Sequence, residues 1–394
     1  MGIKIGFLTT LGVNVGDEFI REGIRHVLDQ CGVPYAPFYV NKHDATTLSR
    51  PVEDEVCEAR NKFWETDLFI QAGAPVYWRL GPHTSLTSEW YRWFWEELVF
   101  CQKPPGPQPV FVNLGAGATQ PWGVGPEAFL EDTDCIEFAR KAAERSVLTT
   151  VRDPCAMRVL AALGISAHVL PCPALLAAGR HPAGGPVKDL IGVNLMPLAS
   201  HHDLSGNFDR ARWRDTATAI LGRLRAGSAV LFICHNEEEL TFARQFSRPG
   251  ERVFWSSEWR DYFDVYAHCE IVVANRVHGA VCAAGYGVPA IIIGNDTRAE
   301  IGDVIGLPRF HAVHLAVEAV VDMVQDLRKR RAEETARLLR LREETVQQYR
   351  DLLQPIIQRI ASGRDDSSSF PTTRRRASGN DVAVEGSTYA AQHP

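Results

Sequence analysis

Residues 271–294 constrain the fold of this chain more than any other segment. An apolar run, 271–274, leads into the loop Asn275 to Gly279, then into small residues, a glycine–proline turn and a second apolar run. This order predicts a strand, a helix starting at Gly279 and a second strand, with binding groups where strand gives way to helix. Because a helix N-terminus attracts negative charge, the loop predicts a site for an anionic small molecule. Its candidate residues are Arg276, Val277, His278 and Gly279.

The same alternation of strand and helix runs along most of the chain. Predicted strands cover 3–9, 67–72, 110–114, 147–151, 167–170, 190–194, 229–234, 252–255, 271–274 and 290–293. Amphipathic patterns between them predict helices, of which 17–30 and 213–224 are the longest, and a further helix starts near 237. Alternation of this kind indicates an α/β fold whose parallel sheets carry helices on both faces.

Chain length and a linker-like segment divide this pattern into two parts. The chain has 394 residues, which suggests two domains, and the stretch 177–188 has the composition of a linker. We predict two doubly wound domains facing a cleft, at 1–178 and 188–315, with one large open sheet as the alternative. Helical stripes predict C-terminal helices at 316–362, and the polar composition of 363–394 predicts a disordered tail.

Composition excludes several classes of protein. The net charge is −6 and no basic stripe interleaves with aromatic residues, so we expect no nucleic-acid partner. The sequence has no run of about 18 apolar residues and no signal-peptide pattern, which predicts no transmembrane segment. The nine scattered cysteines form no Cys-x-x-Cys pair and indicate reduced thiols in a cytoplasmic protein.

A second candidate loop, Asn14 to Glu18, separates the first strand from the first helix. Gly16 permits close backbone approach, and Asp17 and Glu18 suit the first turn of a helix. The loop either caps the helix or contacts substrate, with carboxylates that hydrogen-bond sugar hydroxyls. It lacks the Gly-x-Gly-x-x-Gly pattern, so a dinucleotide site is not indicated.

Further polar residues follow other predicted strands. Arg152 either pairs with Asp153 or grips a carboxylate or phosphate with both arms of its guanidinium group. His235 and Asn236 follow the strand 229–234, in a structural or a binding role. Arg298 lies just beyond the strand 290–293, at the same sheet edge as the 275–279 loop or on the surface.

Histidines and aromatic residues offer two more features. His278 titrates near neutral pH in water, as general acid–base chemistry requires. The segment His201 to Asp203 shows no third metal ligand, so we expect no metal site. An aromatic cluster is expected to be mostly core, with a sugar-stacking platform as the alternative. It consists of Trp78, Trp90, Tyr91, Trp93, Phe94 and Trp95.

Four motifs in order resemble those of the polysaccharide pyruvyl transferase family. They are Asn14-Val15-Gly16-Asp17-Glu18, Val151-Arg152-Asp153, Leu170-Pro171-Cys172-Pro173-Ala174 and Arg276-Val277-His278-Gly279 with its Gly287-x-Pro289 turn. The resemblance spans roughly residues 3 to 305 and implies two Rossmann-like domains in a GT-B-like arrangement, the first for the acceptor and the second for the donor. Such enzymes move pyruvate from phosphoenolpyruvate onto a sugar, usually as a cyclic ketal.

The resemblance also implies roles for residues. Arg152 and Arg276 would hold the carboxylate and phosphate of phosphoenolpyruvate, His278 would be the acid or base, and Asp17 is the second catalytic candidate. Remaining substrate-binding candidates are Asn14, Gly16, Glu18, Gly73, His235, Asn236, Val277, Gly279 and Arg298. Beyond the donor no cofactor or metal is expected. The other expected partner is a sugar or lipid-linked glycan acceptor. Peripheral association with the inner face of the cytoplasmic membrane and assembly into an oligomer are both compatible with the sequence.

Three positions depart from the family pattern. Cys172 replaces an Asp, Gly73-Ala74-Pro75 replaces a run of glycines, and Arg298 replaces a Lys. Arg and Lys are not equivalent as phosphate partners, because only Arg binds with a planar fork. These departures leave the acceptor sugar open.

Two other functions compete with pyruvyl transfer. A GT-B glycosyltransferase using a nucleotide sugar would often carry a Glu shortly before the Gly-x-Pro turn, where this chain has Cys282. A binding module that retains the fold without catalysis would not need Arg152, Arg276 and His278 together.

Overall fold

The computed structural model describes residues 2–11, 14–42, 60–78, 91–101, 108–184 and 189–363. The predicted tail lies outside these ranges except for its first residue, and so do Trp90 and the linker residues 185–188.

The strands described before residue 170 belong to one parallel sheet. Its strands are β1 (Ile3–Thr9), β2 (Tyr35–Asn41), β3 (Leu68–Ala72), β4 (Pro75–Trp78), β5 (Val110–Thr119), β6 (Leu148–Val151) and β7 (His168–Val169). Their order is β2-β1-β3-β5-β6-β7, and β4 pairs with β5. The α-helices are α1 (Val15–Gln30), α2 (Glu127–Leu130), α3 (Thr133–Arg145) and α4 (Pro154–Ala162). Arg60–Glu65 and Pro173–Gly179 are 3₁₀ helices, and Tyr91–Val99 is a π-helix.

A second parallel sheet follows, within the part of the chain described after residue 188. Its strands are β8 (Leu190–Asn194), β9 (Ala229–Ile233), β10 (Arg252–Phe254), β11 (Ile271–Ala274), β12 (Ala290–Gly294) and β13 (Arg309–His311). Their order is β10-β9-β8-β11-β12-β13. The helices are α5 (Arg210–Arg225), α6 (Glu237–Arg244), α7 (Asp261–Ala267), α8 (Val277–Gly285) and α9 (Ile301–Ile305), with a 3₁₀ turn at Thr297–Glu300.

The two sheets confirm the predicted α/β architecture, and the alternative of one large open sheet is wrong. Most predicted strands match within one or two residues. β5 runs five residues beyond its predicted end, because Gly115 adopts a φ of +67° at a register irregularity and the strand continues. The domain boundary near residue 178 stays a prediction.

Two C-terminal helices, α10 (Val317–Lys329) and α11 (Arg331–Ala361), agree with the predicted stripes. α11 returns to the first sheet, where the Tyr349 hydroxyl donates to the Pro171 carbonyl at 3.2 Å. Within the described ranges, no helix combines the length and apolar character needed to cross a membrane.

A continuous hydrophobic core joins the two halves. Phe19 of α1 packs on Phe263 of α7 with ring centroids 5.1 Å apart. Between α1 and α8 lies the 3₁₀ helix Pro173–Gly179, whose residues Ala177 and Ala178 are buried. The expectation that these two alanines belong to a linker is wrong, because their small side chains fit this close packing.

Beside this core, the buried carboxylate of Glu22 binds residues that follow the 3₁₀ helix. It lies 2.8 Å from His181 Nε2 and 3.2 Å from Arg180 Nε, and Arg25 donates to it at 3.0 Å. Burial alone would raise the pKa of Glu22, but the hydrogen bond with His181 and the surrounding arginines lower it to about 2. The cluster therefore ties α1 to the segment that leads into the second sheet.

Candidate active site

A cavity of about 200 Å³ lies between the carboxyl edges of the two sheets. Parallel α/β sheets place ligands at this edge. Nine of the site residues predicted from the sequence line the cavity: Asn14, Gly16, Asp17, Arg152, His235, Arg276, Val277, His278 and Arg298. The structure thus brings the two candidate loops and all three predicted arginines to one site.

His278 and Arg152 form the centre of the site. His278 Nε2 lies 3.0 Å from Arg152 Nη1. Burial and the positive charge of Arg152 lower the pKa of His278 to about 3, so the imidazole is neutral at pH 7. A neutral ring accepts the guanidinium hydrogen on Nε2 and carries its own proton on Nδ1.

The helix that carries His278 begins two residues earlier than predicted. α8 starts at Val277, and Arg276 is its N-cap with φ −73° and ψ 102°. The prediction of a start at Gly279 is wrong, because the carbonyl of Arg276 already accepts from the Gly279 and Ala280 N–H groups, at 2.9 and 3.3 Å. His278 therefore lies in the first turn, where backbone N–H groups favour an anion.

Gly16 is required by the position of His278. A Cβ atom built on Gly16 would lie 2.5 Å from His278 Nδ1, closer than carbon and nitrogen can approach. This close contact brings α1 of the first domain against α8 of the second, and Asn14 caps α1 by accepting from the Gly16 N–H at 3.1 Å.

Asp17 lies beside Gly16 and binds Lys42, the residue after β2, with 3.4 Å between Nζ and Oδ2. Burial alone would raise the pKa of Asp17, but Lys42, a hydrogen bond with Thr10 and the nearby His278 hold it below its usual value. Asp17 is therefore ionised and favours positive charge on His278. Lys42 was not predicted, because β2 itself was missed.

Arg152 has no carboxylate within ion-pair distance among the described residues, which excludes the predicted pairing with Asp153. The Asp153 carboxylate instead accepts from the backbone N–H groups of Ala118 at 3.0 Å and Ala156 at 2.8 Å. Cys172, which stands where the family has an Asp, lies 3.9 Å from Arg152 Nη1. Arg152 is therefore a cation without an ion-pair partner among the described residues, and it is only 3% exposed to solvent.

Arg276 is held on the other side of the cavity by Glu239, which was also not predicted. Arg276 Nε and Nη2 each lie 2.5 Å from Glu239 Oε1, and Nη1 lies 2.7 Å from His201 Nε2. The second oxygen of Glu239 accepts from Asn194 Nδ2 at 2.8 Å and from the His235 N–H at 2.9 Å. This buried carboxylate fixes the guanidinium at the cavity wall.

Arg298 is oriented by a neighbouring acid in the same way. Its Nε and Nη2 bind the two oxygens of Asp296 at 2.9 and 2.5 Å. Lys42, Arg276 and Arg298 are each paired with a carboxylate, whereas Arg152 has no such pair among the described residues. This charge distribution favours an anionic ligand.

Other predicted residues lie behind the cavity wall. Glu18 pairs with Arg21 inside α1, and Asn236 caps α6 by accepting from the Glu239 N–H at 2.8 Å. Gly73, with a φ of +65°, lies behind Arg152, and Gly279 is packed against Tyr266. These four residues support the site from outside its lining.

Two alanines on the cavity wall adopt a conformation that non-glycine residues rarely use. Ala74 has a φ of 84° and Ala199 a φ of 52°. Such backbone strain concentrates at binding sites, where surrounding contacts hold it in place. Ala199 precedes the loop that carries His201 and His202, so the strain lies where the second domain faces the first.

The segment His201 to Asp203 does not converge on one point. His201 binds Arg276, the His202 ring stacks on Trp78, and Asp203 accepts from the backbone N–H groups of Gly206 and Phe208. In the part of the chain that the structure describes, no group of three or more His, Cys, Asp or Glu side chains could hold a metal ion.

Sequence comparison decides the family. Residues 14–297 match the family model for polysaccharide pyruvyl transferase. The chain belongs to the polysaccharide pyruvyl transferase family. Membership identifies a transferase of polysaccharide biosynthesis with a sugar or glycan acceptor. Among curated proteins, none matches the sequence significantly.

Solved structures support the fold of this pyruvyl transferase family member. A putative UDP-N-acetylglucosamine 2-epimerase from Listeria monocytogenes is 11% identical, with a TM-score of 0.53 over 86% of this chain and 91% of that chain. Os79 from O. sativa, solved with U2F and trichothecene, is 11% identical, with a TM-score of 0.52 over 89% and 100%. A Methanocaldococcus jannaschii UDP-GlcNAc 2-epimerase, solved with UDP-GlcNAc and UDP, is 10% identical, with a TM-score of 0.50 over 83% and 93%. These neighbours have GT-B-type folds, and the chain shares that architecture.

Proposed function

We propose that this protein transfers the pyruvyl group of phosphoenolpyruvate to a sugar of a polysaccharide or glycan precursor, forming a pyruvate ketal. The observation that carries the proposal is the contact of Arg152 Nη1 with His278 Nε2 at 3.0 Å inside a cavity of net positive charge. Phosphoenolpyruvate carries a carboxylate and a phosphate close together. Its binding requires cations, and its reaction requires a proton donor.

The arginines divide between the two anionic groups of the donor. Arg152 lacks a carboxylate partner among the described residues, so a bound carboxylate or phosphate would complete its hydrogen bonds. Arg276 and Arg298 line the opposite wall and are fixed by Glu239 and Asp296. Preorganised cations of this kind stabilise charge on the departing phosphate without rearrangement.

His278 acts as the acid and then as the base. The negative charges of the donor offset the burial and the arginines that hold the ring neutral, so the imidazole takes up a proton when the donor binds. Asp17 faces the imidazolium and stabilises it. Because its own pKa is held low, Asp17 acts through its charge and not as a proton acceptor.

The proposed reaction balances in atoms and charge. Imidazolium protonates the methylene carbon of the donor, C2 becomes an electrophile, and an acceptor hydroxyl oxygen bonds to C2 while its proton returns to His278. The C2–O bond to phosphate then breaks, with the proton from His278 leaving on the phosphate. A second hydroxyl oxygen closes the ketal at C2 and gives its proton to the imidazole.

The partners follow from this chemistry. The donor is phosphoenolpyruvate, no further cofactor is required, and the acceptor presents two neighbouring hydroxyl groups on a sugar or lipid-linked glycan. We place the reaction in the cytoplasm, where phosphoenolpyruvate is available, and at the inner membrane face when the acceptor is lipid-linked.

The product identifies the reaction. Incubation with [2-¹³C]phosphoenolpyruvate and diol-bearing glycosides in D₂O is expected to release one phosphate for each quaternary ketal carbon seen by ¹³C NMR, with deuterium in the new methyl group. A product that retains the vinyl group contradicts ketal formation. Cleavage of a nucleotide sugar without use of phosphoenolpyruvate supports the glycosyltransferase alternative instead.

A further inference from the structure

Trp78 and His202 form an aromatic pair across the cleft. Trp78 ends β4 in the first domain, and His202 lies in the loop after β8 in the second. Their rings are stacked, with centroids 5.6 Å apart and planes 25° from parallel. Both residues line the cavity that contains His278.

The neighbour of Trp78 on the adjacent strand is a buried hydroxyl group. Trp78 of β4 is in register with Thr119 of β5, and Thr119 lines the same cavity while being only 1% exposed. Its Oγ1 has no hydrogen-bond partner among the described residues. A buried hydroxyl without a partner is costly, which indicates that a ligand supplies the missing hydrogen bond.

We propose that Trp78 and Thr119 form the acceptor subsite, in which a sugar ring stacks on the indole and one of its hydroxyl groups bonds to Thr119. The inference rests on the proposed function and adds to it the place where the acceptor binds. A pyranose presents several C–H groups on one face and hydroxyl groups around its edge. An aromatic face beside a polar group matches both, since the apolar face leaves water and the hydroxyl is satisfied.

His202 covers the indole face in this structure and is displaced by the sugar. Burial and the nearby Arg298 lower the pKa of His202, so the ring is neutral at pH 7 and lacks the attraction of a cation for the indole. His202 is also joined in sequence to His201, which binds Arg276 at the proposed donor site. Acceptor and donor therefore meet on adjacent residues of one loop.

Saturation-transfer NMR with methyl gluco-, galacto- and mannopyranoside tests the subsite on the full-length chain. The wild type is expected to bind at least one glycoside through its ring C–H protons. Trp78→Ala should lose at least about tenfold in affinity, Trp78→Phe should lose less, and Thr119→Val should lose about fivefold. His202→Ala should tighten binding about fivefold, because the competing ring is absent.

Phosphoenolpyruvate binding, measured by calorimetry on each variant, separates this proposal from the proposed function. It should be unchanged in Trp78→Phe and Thr119→Val, which also confirms that these variants are folded. Equal glycoside binding by the wild type, Trp78→Ala and Thr119→Val overturns the subsite, as does a wild type that binds phosphoenolpyruvate but none of the glycosides. Binding of uridine that depends on Trp78, without glycoside binding, assigns the indole to a nucleobase and also overturns it.

Discussion

Proton uptake on donor binding is the prediction that tests the role of His278 most sharply. The pKa of His278 is about 3 in this structure because of burial and Arg152. Protonating the ring at pH 7 therefore costs about 5 kcal/mol, since pH 7 lies about four pH units above this pKa.

The donor has enough charge to meet this cost. A carboxylate and a phosphate together carry about 2.5 or more negative charges at neutral pH. One such charge about 4 Å from the imidazole favours its protonation by about 4 kcal/mol at an effective dielectric constant of about 20. Two charges near the ring therefore suffice, and the complex should hold close to one proton more than the separate partners.

Calorimetry in buffers of different ionisation enthalpy measures this proton directly. The observed binding enthalpy should vary with buffer enthalpy, with a slope of about one proton at pH 7 for the wild type. His278→Gln should give a slope near zero, whereas a substitution at the exposed His168 should leave the slope unchanged. A wild-type slope of zero, or an equal slope in His278→Gln, refutes the reasoning.

Three further predictions concern residues that support the site. Gly16→Ala should lower kcat at least about 100-fold at saturating donor, because the new Cβ displaces His278; wild-type kcat contradicts this. Glu239→Gln should lower the free energy of unfolding by about 2 to 4 kcal/mol in urea titration, since an amide cannot accept from all its donors, whereas the exposed Glu238→Gln should not. Glu22→Gln should lower the free energy of unfolding by about 3 kcal/mol at pH 7, because the pKa of the carboxyl is lower in the folded than in the unfolded chain. The difference between wild type and variant should disappear as pH falls from 4.5 to about 2. A difference that persists at pH 2 opposes the assignment.

The sequence predicted those parts of the molecule that depend on local pattern. Strands such as β8, β11 and β12 are short apolar runs followed by glycine or polar residues, so their ends could be located. Since parallel strands align their carboxyl ends, the same pattern predicted that Arg298 could lie at the sheet edge of the 275–279 loop, and Arg298 and His278 do line one cavity. The contact of Arg152 with His278 at 3.0 Å joins two different sheets, and only the family resemblance gave both residues a role at the donor.

Long-range contacts could not be predicted from local pattern. Glu239 stands last in three consecutive glutamates, and only its register on α6 directs it inward to Arg276. Lys42 follows a strand, β2, whose half-exposed residues gave no clear apolar run. Thr119 reaches the cavity only because β5 continues past a glycine that a local pattern interprets as a strand end.

The central claim is that Arg152 binds phosphoenolpyruvate. Among the described residues, Arg152 is the cation of the site that has no carboxylate partner. Phosphoenolpyruvate should bind the wild type in a calorimetric titration, and Arg152→Ala should weaken binding at least about 100-fold, as expected for loss of a buried charged partner. The matched control Arg158→Ala removes an exposed arginine from α4 and should bind like the wild type. Binding of phosphoenolpyruvate that is unaffected by Arg152→Ala, or a wild type that binds a nucleotide sugar and no phosphoenolpyruvate, contradicts the account.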